Sequence, residues 1–155
     1  METPSLRQFQ ESDKDDVKQL HIEGLKQTGS YIDDSELDID LENIRETYTN
    51  SGGEFLVVSL ENKIIGMGAL RKVDDETAEI KRMRVAINYQ GHGVGSLILD
   101  RLIEKARELG YKKIILDTNE KQEAARRLYE KKGFKEFKRK KTSELELVFY
   151  ELDIN

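Results

Sequence analysis

The stretch NYQGHGVGSLILD, residues 88–100, has a glycine at every second position and then continues into leucine and isoleucine. Glycine lets the backbone approach a ligand closely and adopt conformations that other residues avoid. The first turn of a helix has N–H groups without an intrahelical partner and the positive end of the helix dipole. The stretch therefore predicts a site for a phosphate-bearing ligand at the start of a helix. The loop and the first helical residues are Gln90, Gly91, His92, Gly93, Val94, Gly95 and Ser96.

Length and composition limit the classes of protein to which the chain can belong. Its 155 residues predict a single domain over residues 1–155. Its net charge of −5, without a long block of one sign, argues against nucleic-acid binding. The absence of cysteine excludes a disulfide scaffold and a thiolate nucleophile, and two histidines are too few for a histidine cluster, so no metal is expected. Without a signal-peptide core or a long apolar run, the sequence predicts a cytoplasmic protein that does not contact membranes.

Segments with strand and helix periodicity alternate along the chain, without an internal repeat or a linker. They predict the order β-α-α-β-β-β-α-β-α-β-β, an α/β fold of the α+β type. The predicted strands are SLRQF, EFLVVSL, IIGMGALRKV, TAEIKRMRVAI, KKIILDT, FKEFKRK and LELVFYELD, and the predicted helices cover residues 12–27, 37–50, 93–109 and 120–132.

The strand TAEIKRMRVAI, residues 77–87, does not alternate cleanly between apolar and polar residues. In a regular strand Ile80 would face away from Met83 and Val85, so neither face would be apolar throughout. A slip of one residue between Ile80 and Met83 would bring the apolar side chains to one face, as a β-bulge does. The alternative is a regular strand whose Arg and Lys stems lie along apolar surface. The pattern alone leaves both open.

Two known classes of phosphate-binding loop are candidates for residues 88–100. A P-loop is excluded, because its lysine and its spacing are missing. A dinucleotide-binding domain would use the order strand, G-x-G, helix and a strand ending in an acid, here Asp117. However, the third glycine falls at G-x-G-x-G, and the entering strand belongs to an antiparallel meander. The dinucleotide-binding domain is therefore the weaker alternative.

Two motifs resemble those of the GNAT superfamily of N-acetyltransferases. Residues 90–95, QGHGVG, resemble its Q/R-x-x-G-x-G/A signature, and AARRLYEKKGF, residues 124–134, resembles its A-x-x-L-Y-x-x-x-G-F segment. They occur in the family's order, and the resemblance extends from about Phe55 to Phe137. Gln122 replaces a frequent Asn, and Thr118 replaces a more usual Val. The resemblance implies a mixed, mostly antiparallel central sheet flanked by helices.

The resemblance also implies that acetyl-CoA is the co-substrate. Its pyrophosphate would lie on the N–H groups of residues 90–96. Its pantetheine arm would pair with the third meander strand at Met83 and Val85, beside Arg84, in a splay opened by a bulge. Asn119 would either hydrogen-bond to this arm or only cap a helix beginning at Glu120.

The resemblance assigns two catalytic candidates. Tyr129 occupies the L-Y position and would protonate the departing CoA thiolate, although helical spacing alone also fits a core aromatic residue. Glu79 lies fourteen residues before Gly93, where many relatives have a carboxylate that takes the amine proton directly or through water. It could equally be a surface acid beside Lys81.

The chain offers neither a cysteine nor a plausible Ser-His pair for an acyl-enzyme, so the sequence predicts direct attack by the acceptor amine. The acceptor would be a small-molecule or peptide amine that enters from the other side of the splay. A non-catalytic CoA-binding regulatory domain is the alternative from a different class. The terminal hairpin offers a sheet edge through which two copies could pair as a homodimer.

Overall fold

The computed structural model of the chain describes residues 3–27 and 39–154. The elements of this part follow the predicted order. The strands are β1 (Ser5–Gln8), β2 (Glu54–Leu60), β3 (Lys63–Lys72), β4 (Thr77–Val85), β5 (Lys113–Asn119), β6 (Lys135–Lys141) and β7 (Glu146–Asp153), and the helices are α1 (Lys14–Gln27), α2 (Ile44–Thr47), α3 (Val94–Glu108) and α4 (Glu123–Lys131). None of these helices is long and apolar enough to cross a membrane.

The strands form one mixed sheet in the order β1-β2-β3-β4-β5-β7-β6. Neighbours are antiparallel except β4 and β5, which are parallel over only three residue pairs, from Thr77 to Glu79 on β4. Beyond Glu79, β4 continues along β3 and β5 continues along β7, so the sheet opens between them. The mixed, mostly antiparallel sheet is confirmed. The dinucleotide-binding alternative is wrong, because it needs a doubly wound parallel sheet.

The β4 strand contains the bulge that the sequence places between Ile80 and Met83. Lys81 and Arg84, three residues apart on β4, pair with Ala69 and Met67, which are two residues apart on β3. The β4 strand thus has one extra residue between these pairs. Arg82 has φ of 60°, in the left-handed region that residues other than glycine rarely adopt. The extra residue brings the apolar side chains before and after the bulge to the same sheet face, against the core. The alternative of a regular strand is therefore wrong.

Two hydrophobic clusters sandwich the sheet. One lies under α3, whose Ile98, Leu99 and Leu102 are fully buried. The other lies under α1 and α2, around residues such as Val17 and Tyr48. Because β2 supplies alternate residues to the two clusters, the sheet is apolar on both faces, and polar side chains at its centre need a specific explanation.

The second predicted helix, residues 37–50, is not continuous. Its first two residues lie outside the described part, and the rest consists of the short helix α2 between two 3₁₀ turns, Ile39–Glu42 and Thr49–Ser51. Tyr48 donates a hydrogen bond to the carboxylate of Asp40. In one helix these positions would lie about 12 Å apart along the axis. Tertiary contacts thus fold the segment back and break the predicted helix.

The C-terminal hairpin places β6 at the edge of the sheet, exposed along its whole length. Five of its seven residues are Lys or Arg. Lysine-rich edges discourage strand pairing between copies, because like charges would meet. The homodimer expected through this hairpin stays a prediction, and the charge of the strand opposes it.

Candidate active site

A cleft of about 610 Å³ lies between the end of β4, the glycine loop and α4. We call it the loop cleft. Most of the predicted binding residues line it, namely Met83, Arg84, Val85, Gln90, Gly91, Gly93, Val94, Gly95 and Ser96. His92 is exposed and lies outside its lining. The structure thus brings nine of the eleven predicted binding residues into one cleft. The two exceptions are His92 and Asn119.

The glycines of the loop have the conformation that the sequence implies. Gly91 and Gly93 have φ of 80° and 87°, and a Cβ added to either would meet no atom within 4 Å. Gly93 is the N-cap of α3, so the first N–H groups of this helix lie at the cleft, where Val94 and Gly95 form its wall. A Cβ at Gly95 would lie 3.2 Å from Leu128 of α4, so this glycine permits the close approach of the two helices. The backbone at Gly91 and Gly93 is therefore open, with no side chain at these two positions, as an anion site at a helix start requires.

The other wall of the loop cleft is the part of β4 beyond the bulge. Pairing between β4 and β5 stops at Glu79, so within residues 3–27 and 39–154 the edge of β4 at Met83 and Val85 has no partner strand on that side. Gln90 donates a side-chain hydrogen bond of 3.0 Å to the Val85 carbonyl and so ties the loop to the strand. An extended ligand with amide groups can add to such an edge as a further strand.

A second cleft, of about 300 Å³, occupies the opening between β4 and β5. We call it the sheet cleft. Its own walls include Lys81, Arg82, Asp117 and Asn119. It shares five residues with the loop cleft: Met83, Arg84, Gln122, Ala125 and Tyr129. The two clefts therefore meet at one wall.

Tyr129 lies in that shared wall. Its ring packs against Phe134 and Tyr150, with centroid distances of 5.9 and 6.1 Å, and the residue is only 5% exposed. Burial raises the pKa of Tyr129 to about 12, against the opposing effect of Arg84. The phenol therefore keeps its proton at neutral pH and borders both clefts. The position fits a proton donor as well as a core aromatic residue.

Two carboxylates lie near the opening in different settings. Glu79 accepts a hydrogen bond of 2.6 Å from Arg71 and lines neither cleft. Asp117 is exposed to the sheet cleft. Partial burial of the Asp117 carboxyl group disfavours its charged form and, together with repulsion from Glu79, raises its pKa. The positive charges of Lys81 and Arg71 act in the opposite direction. Asp117 has a predicted role only in the dinucleotide-binding alternative. Its position as an acid within the apolar strand IILDT, residues 114–118, is the sequence signal that indicates a candidate site residue.

A buried polar network holds the bulge in place. Arg82 donates hydrogen bonds of 3.0 and 2.6 Å to Asp40, and its third nitrogen lies 3.1 Å from Nε2 of His21. Burial alone would raise the pKa of Asp40, but hydrogen bonds from Arg82 and Tyr48 outweigh it and lower the pKa. The network ties β4 to α1 and to the segment before β2. It thereby offsets the strain of the left-handed conformation at Arg82.

Asn119 has a different setting from the one expected. It is the last residue of β5 and is buried, and its side-chain oxygen accepts a hydrogen bond of 2.9 Å from the Lys121 N–H. Because α4 begins at Glu123, with Gln122 as its N-cap, the prediction that Asn119 caps a helix from Glu120 is wrong. Asn119 borders the sheet cleft rather than the loop cleft. Its contact with a coenzyme stays a prediction, as does that of His92.

Comparisons with known protein families and sequences agree with this geometry. The model of the acetyltransferase (GNAT) family matches residues 15–134. The chain is 36% identical over 98 residues to N-acetylaspartate synthetase of Xenopus tropicalis, covering 62% of this chain and 36% of that protein. It is 32% identical over 108 residues to human N-acetyltransferase 8, covering 66% and 48%. It is 33% identical over 116 residues to the uncharacterized N-acetyltransferase YedL of Escherichia coli, covering 74% and 69%. The chain thus spans less than half of the length of the first two relatives.

Solved structures share the whole fold. An acetyltransferase of the GNAT family from Staphylococcus aureus Mu50 superposes with a TM-score of 0.90 at 26% identity, covering 99% of this chain and 100% of that chain. The yncA protein of Salmonella typhimurium, whose structure includes its cofactor acetyl-CoA, superposes with a TM-score of 0.79 at 21% identity, covering 99% and 95%. At 21% identity the second likeness shows the fold alone.

Proposed function

The chain belongs to the acetyltransferase (GNAT) family, and we propose that it transfers an acetyl group from acetyl-CoA to a primary amine by direct attack. The observation that carries the proposal is the meeting of two clefts at Tyr129. One cleft has the glycine cradle and a free strand edge that fit the coenzyme. The other opens through the sheet and offers a separate entrance for the amine. The name of the relative N-acetylaspartate synthetase also indicates an N-acetylated product.

The loop cleft has the features that acetyl-CoA requires. The open cradle of Gly91 and Gly93 fits the pyrophosphate, because backbone N–H groups at a helix start bind anions. The β4 edge at Met83 and Val85 would take the amides of the pantetheine arm, with Arg84 beside them. Acetyl-CoA would supply the acetyl group in activated form, as a thioester.

The residues around the shared wall would then move two protons. In the transfer, a bond forms between the amine nitrogen and the acetyl carbon while the bond between this carbon and sulfur breaks. A carboxylate takes a proton from the amine, and the Tyr129 hydroxyl donates its proton to the departing sulfur. Solvent restores both groups. We place the proton acceptor on Asp117, because it opens to the sheet cleft and its pKa is raised, and keep Glu79 as the second candidate.

Paired variants separate the two carboxylates. We expect Asp117→Asn to lower kcat/KM by up to roughly 10²-fold at a pH between the pKa of Asp117 and that of the amine, and far less at high pH, where the amine is already neutral. A carboxylate works as a base only above its pKa. Because the pKa of Asp117 is raised, kcat/KM of the wild type should begin to fall, as the pH is lowered, at a higher pH than with an ordinary aspartate. The measurement is the pH profile of kcat/KM for wild type and both variants.

Glu79→Gln serves as the comparison in this experiment, and we expect it to have the smaller effect, because Glu79 is held by Arg71. A larger, pH-dependent loss in Glu79→Gln would return the role of base to Glu79. An equal loss at every pH in Asp117→Asn would identify a substrate-binding carboxylate instead of a base.

Hydrogen exchange tests the coenzyme site. We expect CoA to slow the exchange of the amide hydrogens of residues 90–96, because phosphate contacts hold the N–H groups of the loop. NAD at the same concentration is the control and should leave the exchange unchanged. Exchange that is indifferent to CoA would contradict the assignment of the loop.

Release of CoA thiol from acetyl-CoA, measured with a panel of primary amines, tests the transfer itself. Protection of the loop together with amine-dependent thiol release supports the enzyme. Protection without thiol release for any amine would support the alternative of a non-catalytic CoA-binding domain.

A further inference from the structure

Two opposite charges face each other across the sheet cleft. The last residue pair between β4 and β5 is Glu79 with Ile115. Lys81 and Asp117 each lie two residues beyond that pair, and side chains two residues apart share a face of a sheet. Both residues line the cleft. The opening between the two strands therefore has an ammonium group on one side and a carboxylate on the other.

Neither of these two charges is paired within the described part of the protein. In residues 3–27 and 39–154, neither Lys81 nor Asp117 makes an ion pair or a hydrogen bond through its side chain. Their charged neighbours differ: Arg82 binds Asp40 with two hydrogen bonds, and Glu79 binds Arg71. Among the described residues that line the sheet cleft, Lys81 and Asp117 thus offer an ammonium group and a carboxylate to a ligand, whereas Arg84 donates a hydrogen bond of 2.7 Å to the Met83 carbonyl.

The Lys81 ammonium and the Asp117 carboxylate also interact electrostatically. Lys81 opposes the rise in the pKa of Asp117 and contributes to the lowered pKa of Asp40, so its ammonium lies within electrostatic range of both carboxylates. Lys81 and Asp117 are nevertheless too far apart for an ion pair. A ligand that carries both a positive and a negative group can therefore pair with both residues at once.

Building on the proposed acetyl transfer, we infer that the acceptor is a small amine that carries a carboxylate close to its amino group, as an α-amino acid does. Asp117 binds the amino group and Lys81 binds the carboxylate. The sheet cleft, at about 300 Å³, lies at the lower end of small-molecule sites and suits such a compact zwitterion. A polyamine or a peptide N-terminus would leave Lys81 facing a neutral or positive group.

The position of the two charges orients the acceptor for the transfer. Ile80 and Leu116, the neighbours of Lys81 and Asp117, belong to the cluster under α3, so the two charged side chains point to the opposite face. Tyr129 belongs to that cluster and borders the opening. The amino group on Asp117 would thus approach the acetyl carbon from the face opposite to Tyr129, where the bond to nitrogen forms as the bond to sulfur breaks and Tyr129 donates its proton.

The test compares each of a set of amino acids with its carboxamide and with its decarboxylated amine as acceptors for wild type and Lys81→Met. Methionine keeps an unbranched apolar side chain of nearly the same length and removes the charge. We expect wild type to prefer the amino acid, and Lys81→Met to lower kcat/KM for the amino acid by roughly tenfold or more, through KM, with little change for the carboxamide. Lys63→Met is the matched control, since Lys63 begins β3, is exposed and lines neither cleft.

The possible results separate this inference from the proposed function. Equal acetylation of all three acceptor forms, or an equal loss for all of them in Lys81→Met, would overturn the zwitterion and leave acetyl transfer standing. Acetylation of polyamines or peptides alone would do the same. Absence of thiol release with every amine would overturn both.

Discussion

Replacing Tyr129 by phenylalanine is expected to lower kcat roughly 10²- to 10⁴-fold, the range of a general acid–base contribution. Affinity for acetyl-CoA should stay nearly unchanged. The ring keeps its contacts with Phe134 and Tyr150, and only the hydroxyl at the shared wall is lost. Since the pKa of Tyr129 is about 12, the hydroxyl holds its proton until the departing sulfur takes it.

Tyr150→Phe provides the matched control for this variant. Tyr150 is also buried, but its hydroxyl donates to Glu130 and accepts from Arg126, and it lines neither cleft. Its loss should lower the melting temperature and leave kcat close to wild type. The reverse pattern is expected for Tyr129→Phe.

The leaving group gives a further check on the role of Tyr129. A thioester whose thiol has a lower pKa needs less protonation, so it should partly rescue Tyr129→Phe. Steady-state kinetics with acetyl-CoA and with such an activated thioester would measure this. Wild-type kcat in Tyr129→Phe would contradict the assignment of a general acid and would not affect the fold or the proposal that CoA binds in the loop cleft.

The geometry of the loop cleft could be predicted from the sequence because its information is local. A glycine at alternate positions before a helical pattern specifies an open loop at a helix start. The bulge was visible as a conflict, because Ile80 and Met83 cannot share a face in a regular strand. Both features depend on neighbours in the chain and on the period of a strand or helix.

The charged residues of the sheet cleft could not be predicted in the same way. Lys81 and Asp117 are 36 residues apart in the sequence. They face each other only because β4 and β5 stop pairing two residues earlier. The break in the second predicted helix has a similar origin, since Asp40 is held by Arg82 of a distant strand. Contacts of this kind depend on tertiary register, and the local pattern does not contain them.

Replacing Gly93 by glutamate is expected to weaken CoA binding by roughly 10²-fold or more. The new carboxylate would stand at the N-cap of α3, where the pyrophosphate is expected, and a like-charge contact of this kind costs several kcal/mol. The variant also forces a non-glycine residue into φ of 87°, which costs about 1–2 kcal/mol. A control must therefore separate the charge from the strain.

Gly110→Glu is that control. Gly110 follows the other end of α3 and has φ of 88°, and a Cβ added there also meets nothing within 4 Å. The two variants thus carry the same side chain and similar strain. The helix dipole favours a glutamate near the N-terminus and disfavours one near the C-terminus, so unfolding should affect Gly110→Glu more. Weaker binding in Gly93→Glu alone would therefore not reflect lost stability.

A calorimetric titration of CoA into wild type, Gly93→Glu and Gly110→Glu tests most directly whether the glycine loop is the coenzyme site. A thermal melt of each variant confirms that it is folded. We expect wild type and Gly110→Glu to bind CoA with similar affinity and Gly93→Glu to show little or no binding. Equal affinity of all three folded proteins for CoA would contradict the account.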